Sequence, residues 1–175
     1  MLRGPVFGRA APRLRHEPVP VMLSAMTDEC RTRAQRRTDT LARLEVDEDI
    51  WVASASEGAP HLVPLSFAWD STRIILGTPT RSPTARNASM TGVVRLALGP
   101  TRDVSVFDAT ADVVACADAD AGIAEVFFGR VGWDPREEES EYSYVLAVPQ
   151  VVRAWRNVPE LNGRTIMRDG QWLEE

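Results

Sequence analysis

The chain has 175 residues, of which 26% are charged and 44% hydrophobic, and its formal net charge is −5 at pH 7. This length and composition predict one globular domain with a sizeable core. The acidic balance argues against general nucleic-acid binding, and no apolar run approaches the length of a membrane span. We therefore expect partners other than nucleic acids and membranes.

The counts of cysteine, histidine and lysine exclude several kinds of chemistry. Cys30 and Cys116 are too few for a disulfide framework, which favours a reduced, cytoplasmic setting. His16 and His61 have no neighbours at metal-ligand spacing, so we predict no metal site. All 20 basic residues are arginine, and the absence of lysine excludes Schiff-base chemistry on a lysine amine.

Residues 1–26 differ in character from the rest of the chain. Their prolines break any regular element and interrupt every apolar run that a signal peptide needs. An arginine-rich targeting segment is one interpretation of this stretch. We favour a disordered tail, or an upstream start codon with the functional start at Met22 or Met26. Residues 27–175 are expected to form a single domain.

The next segment, residues 28–44, has the pattern of a polar helix. Asp28 is the expected N-cap, and Ala34, Leu41 and Leu44 would form a thin apolar stripe. Its arginines are expected to form a solvated face, namely Arg31, Arg33, Arg36 and Arg37.

Most of the remaining chain has the pattern of β-strands. Residues 60–69 and 73–77 are joined by a short Asp-Ser-Thr turn, which is typical of a hairpin. Further strands are predicted at 50–56, 93–98, 104–116 with a bulge near Asp108, and 142–155. A helix at 118–129 and a short hairpin within 157–172 complete the predicted elements. Strands this closely spaced indicate a barrel rather than βαβ units.

The segment after the first hairpin combines helix capping with hydroxyl and guanidinium groups. Ser82 suits a helix N-cap, Pro83 the first helical position and Gly92 the end of the helix. The helix start would face Thr78, Pro79, Thr80 and Arg81, with Thr84 and Arg86 beside them. Such a site suits a phosphate. From spacing alone, a capped helix with two solvated arginines is favoured roughly two to one.

Four segments in order carry a family resemblance: PHLVPLSFAWD, RIILGTP, SPTARN and VVRLAL. The series resembles the pyridoxamine 5'-phosphate oxidase-like family of FMN- and deazaflavin (F420)-binding split barrels, over about residues 38–115 and more loosely beyond. The resemblance reverses the odds on the phosphate site. It implies a mainly β fold, an antiparallel split barrel of six or seven strands with flanking helices. It also implies a homodimer with the cofactor at the subunit interface.

The resemblance also implies roles for particular residues. Val63, Leu65 and Ser66 would face the flavin ring or its polar edge, with His61 near the cofactor. The cofactor phosphate would be held by Thr78, Pro79, Arg81, Ser82, Thr84 and Arg86. Many family members have lysine where Thr84 stands, so either phosphate binding would be weaker here or Arg81 or Arg86 would compensate. Trp133 would either close over the ring edge or anchor its loop on the barrel.

The function implied is that of a flavin- or deazaflavin-dependent oxidoreductase acting on a small organic substrate. No nucleophile–base pair is expected, because the cofactor supplies the redox chemistry. FMN is slightly favoured over coenzyme F420. The alternative is a non-catalytic split barrel that binds a flavin, haem or another ligand.

Overall fold

The structure is a computed structural model and describes residues 30–174. Within this range the chain forms helices α1 (Arg33–Val46), α2 (Pro83–Thr91) and α3 (Ala121–Val131). The strands are β1 (Asp49–Ser56), β2 (Ala59–Trp69), β3 (Ile74–Pro79), β4 (Val93–Leu98), β5 (Val104–Ala115), β6 (Tyr142–Trp155), β7 (Thr165–Arg168) and β8 (Gln171–Trp172). Short 3₁₀ segments lie at Cys116–Asp118, Pro135–Glu137 and Val158–Leu161.

The strands form a closed antiparallel barrel. They follow the order β3-β2-β1-β4-β5-β6, and β6 pairs back onto β3. In this closing pair Ile74 lies opposite Ala147 and Pro79 opposite Tyr142. The hairpin of β7 and β8 extends the sheet beyond β6. The six-stranded barrel with flanking helices confirms the fold predicted from the sequence.

The hydrophobic core has two parts, one inside the barrel and one between the barrel and α3. Ile74 and Val145 belong to the first cluster, and their chain neighbours Ile75 and Tyr144 belong to the second. This division arises because successive side chains of a strand point to opposite faces of the sheet. Phe127 of α3 completes the outer cluster and is fully buried.

Of two local predictions, the Asp-Ser-Thr turn is confirmed, and the register shift predicted near Asp108 is found there but with its extra residue on β6 instead of β5. In the turn between β2 and β3, Asp70 Oδ1 accepts hydrogen bonds from the N–H groups of Thr72 at 2.9 Å and Arg73 at 2.6 Å. The bulge lies where β5 meets β6: Asp108 faces Val151 but Ala109 faces Pro149. Gln150 is therefore the extra residue on β6.

Helix α1 departs from its prediction in its cap and in its arginines. Thr32 caps the helix, in a capping box with Gln35, and the expected cap Asp28 lies outside the described residues. Arg36 is only 7% exposed, and the Arg31 side chain only 8%. The predicted solvated face is therefore wrong at these two positions, because Arg31 pairs with the distant carboxylates of Asp103 and Glu160 and Arg36 donates to the carbonyl oxygen of Gly163.

Helix α3 and the N-terminal residues are the remaining elements to compare with their predictions. Helix α3 begins at Ala121 behind the N-cap Asp120, rather than at residue 118. The interpretations of residues 1–26 fall outside the described range. In the part of the chain that the structure describes, no helix has the length and apolar character needed to cross a bilayer.

Candidate functional site

The start of α2 has the geometry that its sequence predicts. Ser82 is extended, and its Oγ accepts a hydrogen bond from the N–H of Ala85 at 3.0 Å. Pro83 occupies the first helical turn, where its missing N–H leaves no bond unmade. Gly92 ends the helix with φ of 67°, in the left-handed region that favours glycine.

A chain of hydroxyl groups fixes the loop between β3 and α2. Thr78, buried at the end of β3, donates from Oγ1 to Ser82 Oγ at 3.0 Å. Thr80 Oγ1 pairs with Ser143 Oγ of β6 at 2.9 Å. Thr84 is 1% exposed, so its side chain packs inside the fold. The loop is therefore held on both sides before any ligand binds.

The charge at this helix start comes from two exposed arginines. Arg86 Nη1 donates to the carbonyl oxygen of Arg81 at 2.8 Å, which folds the Arg86 guanidinium over the loop. The first turn of α2 carries no acidic residue, so these charges add to the positive end of the helix dipole. Pro79 is exposed beside them. The structure thus places the six residues predicted to hold a phosphate around the start of α2, with Thr78 and Thr84 buried and Pro79, Arg81 and Arg86 exposed.

The predicted ring-facing residues of β2 divide between two faces. His61, Val63 and Leu65 are half-buried and lie opposite the buried residues of β1, and therefore share the inner face. Ser66 lies on the other face, where its hydroxyl donates to Asp49 Oδ1 at 2.7 Å. The structure does not bring Ser66 to the side of Val63 and Leu65.

Trp133 is held by its own loop and by neighbouring rings. Its indole N–H donates to Glu138 Oε1 at 2.7 Å. The ring makes edge-to-face contacts with Phe127 and Tyr142, at centroid distances of 6.1 Å and 5.1 Å. This is the arrangement of a loop anchor. Tyr142 pairs with Pro79, so the anchor lies beside the strand end that leads to the residues predicted to hold a phosphate.

The described chain also has a cavity of about 690 Å³ that sequence reasoning did not find. His61 lines it together with Leu62, Arg95 and Asp108. Arg95 and Asp108 are brought together by the pairing of β4 with β5, in which they lie directly opposite each other. No local sequence signal marks this pair, because it depends on the register of two strands.

The buried thiol beside the barrel is not suited to nucleophilic chemistry. Cys116 is 3% exposed, and burial raises its pKa to about 11. Burial likewise raises the pKa of the neighbouring Tyr144 phenol to about 12. Both groups are neutral at physiological pH, and a thiol reacts as its thiolate.

Comparison with protein-family models and with curated proteins gives no match, whereas solved structures with the same fold are found. A Listeria innocua protein, described as a candidate pyridoxamine 5'-phosphate oxidase, has a TM-score of 0.57 at 17% identity over 69% of this chain and 98% of its own. An F420 reductase has a TM-score of 0.52 at 16% identity, over 63% of this chain and 93% of its own. A haem-binding protein from Mycobacterium smegmatis has a TM-score of 0.57 at 15% identity, over 80% of this chain and 59% of its own.

At these identities the likeness establishes the fold. It agrees with the family that the ordered sequence segments resemble. The chain therefore has the split-barrel fold that these solved structures share.

Proposed function

We propose that the chain is a flavin- or deazaflavin-dependent oxidoreductase acting on a small organic substrate. The observation that carries this proposal is the start of α2, where hydroxyl groups and two arginines surround a capped helix terminus within a split barrel. The structural likeness to an F420 reductase supports a redox function on this fold.

The residues at the start of α2 fit a phosphate ester. Thr84 is buried and carries no charge, so the positive charge must come from Arg81 and Arg86. Arg86 uses one guanidinium N–H on the Arg81 carbonyl, and a guanidinium has five such donors. Arg86 can therefore donate to a phosphate without giving up its contact with the loop, which makes it the better candidate of the two.

In this proposal the flat ring of the cofactor lies along β2, as the resemblance implies. Val63 and Leu65 are half-buried there and offer apolar surface, while His61 adds a polar edge. When bound, a flavin or deazaflavin would supply the electron-transfer chemistry, and these side chains would orient the ring and limit its contact with water.

The proposal includes a homodimer with the cofactor at the subunit interface, as the resemblance implies. Large apolar side chains on the outer face of the barrel support it: Trp51 is 49% exposed, Leu62 60% and Val93 54%. They lie on the adjacent strands β1, β2 and β4. Exposed apolar surface of this kind is typical of a protein interface.

The experiment that tests the proposal is a titration of the protein with FMN, riboflavin and F420, followed by quenching of cofactor fluorescence. We expect saturable binding of FMN or F420. Arg86→Gln should weaken FMN binding about 10-fold or more, because a guanidinium–phosphate hydrogen bond is lost, and leave riboflavin unchanged. Arg102→Gln, an exposed arginine on another loop, is the matched control. Binding of neither cofactor would exclude the proposed function.

A non-catalytic ligand-binding barrel is the second candidate, and the likeness to a haem-binding protein favours it. Two measurements separate the candidates: haem titration followed by its Soret band, and anaerobic reduction of the cofactor-loaded protein with reduced nicotinamides. Tight cofactor binding without any change of redox state, or saturable haem binding alone, would select the non-catalytic alternative.

A further inference from the structure

The cavity of about 690 Å³ lies where β1, β2, β4, β5 and the bulge of β6 meet. Much of its wall is aliphatic and is formed by side chains such as Ala53, Leu62 and Val93. Its volume is within the range of small-molecule sites, roughly 300–1,000 Å³. Its lining is also typical of such sites, which are mostly apolar with a few polar groups.

A charged cluster reaches one wall of the cavity through Arg95 and Asp108, whereas its third member, Arg153, does not line the cavity. Arg95 Nε donates to Asp108 Oδ1 at 2.5 Å, and Arg153 Nη1 donates to Asp108 Oδ2 at 2.6 Å. Burial opposes ionisation of Asp108, but the hydrogen bonds and charges of Arg153 and Arg95 outweigh it and hold its pKa below the ordinary value. Asp108 is the one acidic group among the described residues that line the cavity. Because Arg153 pairs with Asp108 from outside the lining, the cluster as a whole has a net charge of about +1 at neutral pH.

The bulge of β6 adds a neutral polar group to the cavity lining. Gln150 is the extra residue of the bulge and lines the cavity together with Asp108. Its amide Nε2 donates to the carbonyl of Val148 at 3.3 Å, and its main-chain carbonyl accepts the N–H of Gly170 at 3.0 Å. Bulges commonly redirect a side chain beside a binding site. The cavity is therefore lined by apolar side chains together with a small set of polar ones.

We propose that this cavity binds a small apolar molecule that carries one carboxylate group. The Arg95 side chain is 64% exposed and uses its Nε on Asp108, so its two terminal nitrogens can donate to the ligand carboxylate in a bidentate pair. The apolar part of the ligand would pack on Leu62 and Val93.

The cavity would also define the substrate class of the proposed oxidoreductase. His61 lines it and is the residue that the resemblance places near the cofactor. This assignment of the cavity to substrate rests on the proposed function, whereas binding of the carboxylate does not. In the proposed homodimer, a second copy of the chain on this face would cover the cavity without filling it.

The test is isothermal titration of the cofactor-free protein with octanoate and 4-phenylbutyrate, each compared with the alcohol of the same skeleton. We expect both acids to bind, and Arg95→Gln to weaken them about 10-fold while changing the alcohols less than about twofold. Arg102→Gln is the charge-matched control. Ala53→Phe should block acids and alcohols alike, because Ala53 lies between Leu62 and Arg95 in the sheet.

Two titration results would overturn the proposal: no binding of either acid, or an equal effect of Arg95→Gln on the binding of acids and alcohols. A third is a sedimentation result in which the acids bind only to dissociated monomers and not to the dimer. The last would mean that a second copy fills the cavity. Cofactor titration is measured separately. Binding of the acids without binding of FMN or F420 would support the carboxylate site and exclude the proposed function. Binding of FMN or F420 without binding of the acids would support the proposed function and exclude the carboxylate site.

Discussion

Glu160 holds the beginning and the end of the described chain together. It is 4% exposed. Its carboxylate accepts hydrogen bonds from the Arg31 N–H at 2.9 Å, from Arg31 Nη2 at 2.8 Å and from the Arg156 N–H at 2.7 Å. The hydrogen bonds from Arg31 are the main reason that the pKa of Glu160 falls from 4.5 to about 2.

The lowered pKa of Glu160 determines how much folding free energy is lost when the charge of this side chain is removed. At about 1.4 kcal/mol for each unit of pKa, it corresponds to about 3 kcal/mol of folding free energy at neutral pH. Glu160→Gln keeps the shape of the side chain and should lower the free energy of unfolding by about that amount, measured by urea denaturation. Asp39→Asn is the control. Asp39 also pairs with Arg31, but its side chain is 41% exposed, so we expect a loss below about 1 kcal/mol.

The pH dependence has a definite sign. The pKa of Glu160 is lower in the folded state than in the unfolded state, so the stabilisation is complete above pH 4.5 and is lost as the pH falls toward about 2. The difference between the parent protein and Glu160→Gln should therefore be largest at pH 7 and shrink below pH 4.5. A loss equal to that of Asp39→Asn, or a difference that does not change with pH, would refute the reasoning.

Two further predictions concern packing and thiol reactivity. A Cβ at Gly77 would lie 2.8 Å from Phe127 Cζ, so Gly77→Ala should destabilise the fold by about 1–3 kcal/mol in urea denaturation. Gly129→Ala, in open space on α3, should not, and equal effects would contradict the packing argument. Exposed Cys30 should react with Ellman's reagent at pH 8 while buried Cys116 reacts only on unfolding. Rapid release of two equivalents of thionitrobenzoate per chain from the native protein would show that Cys116 is accessible.

The parts of the fold that the sequence predicted depend on short-range chemistry. Ser82, Pro83 and Gly92 mark the two ends of α2 through their own backbone preferences. The side chain of Asp70 bonds to residues two and three positions further along and so defines its turn. The register shift predicted near Asp108 lies beside Pro149, which has no N–H for the ladder. In each case the residues that determine the structure are neighbours in the chain.

The parts that could not be predicted depend on pairing between distant segments. Nothing near Arg31 in the sequence shows that Glu160 will lie against it, so its burial was not foreseen. Asp108 was singled out only as the position of a bulge, and its contacts with Arg95 and Arg153 follow from the pairing of β5 with β4 and β6. The cavity that Arg95 and Asp108 line is formed by several strands together, so no single segment of the sequence predicts it.

The pairing of β3 with β6 has a consequence for synthesis of the chain. When β3 leaves the ribosome its final partner does not yet exist, because Ile74–Pro79 pairs with residues of Tyr142–Trp155. At roughly 5–20 residues per second, the free edge of β3 waits on the order of seconds. Until β6 emerges, the edges of β3 and β5 both remain open to pairing with other nascent chains. Barrel closure is therefore the step at which the new protein stops being vulnerable to aggregation, and truncation before β6 should leave it in that vulnerable state.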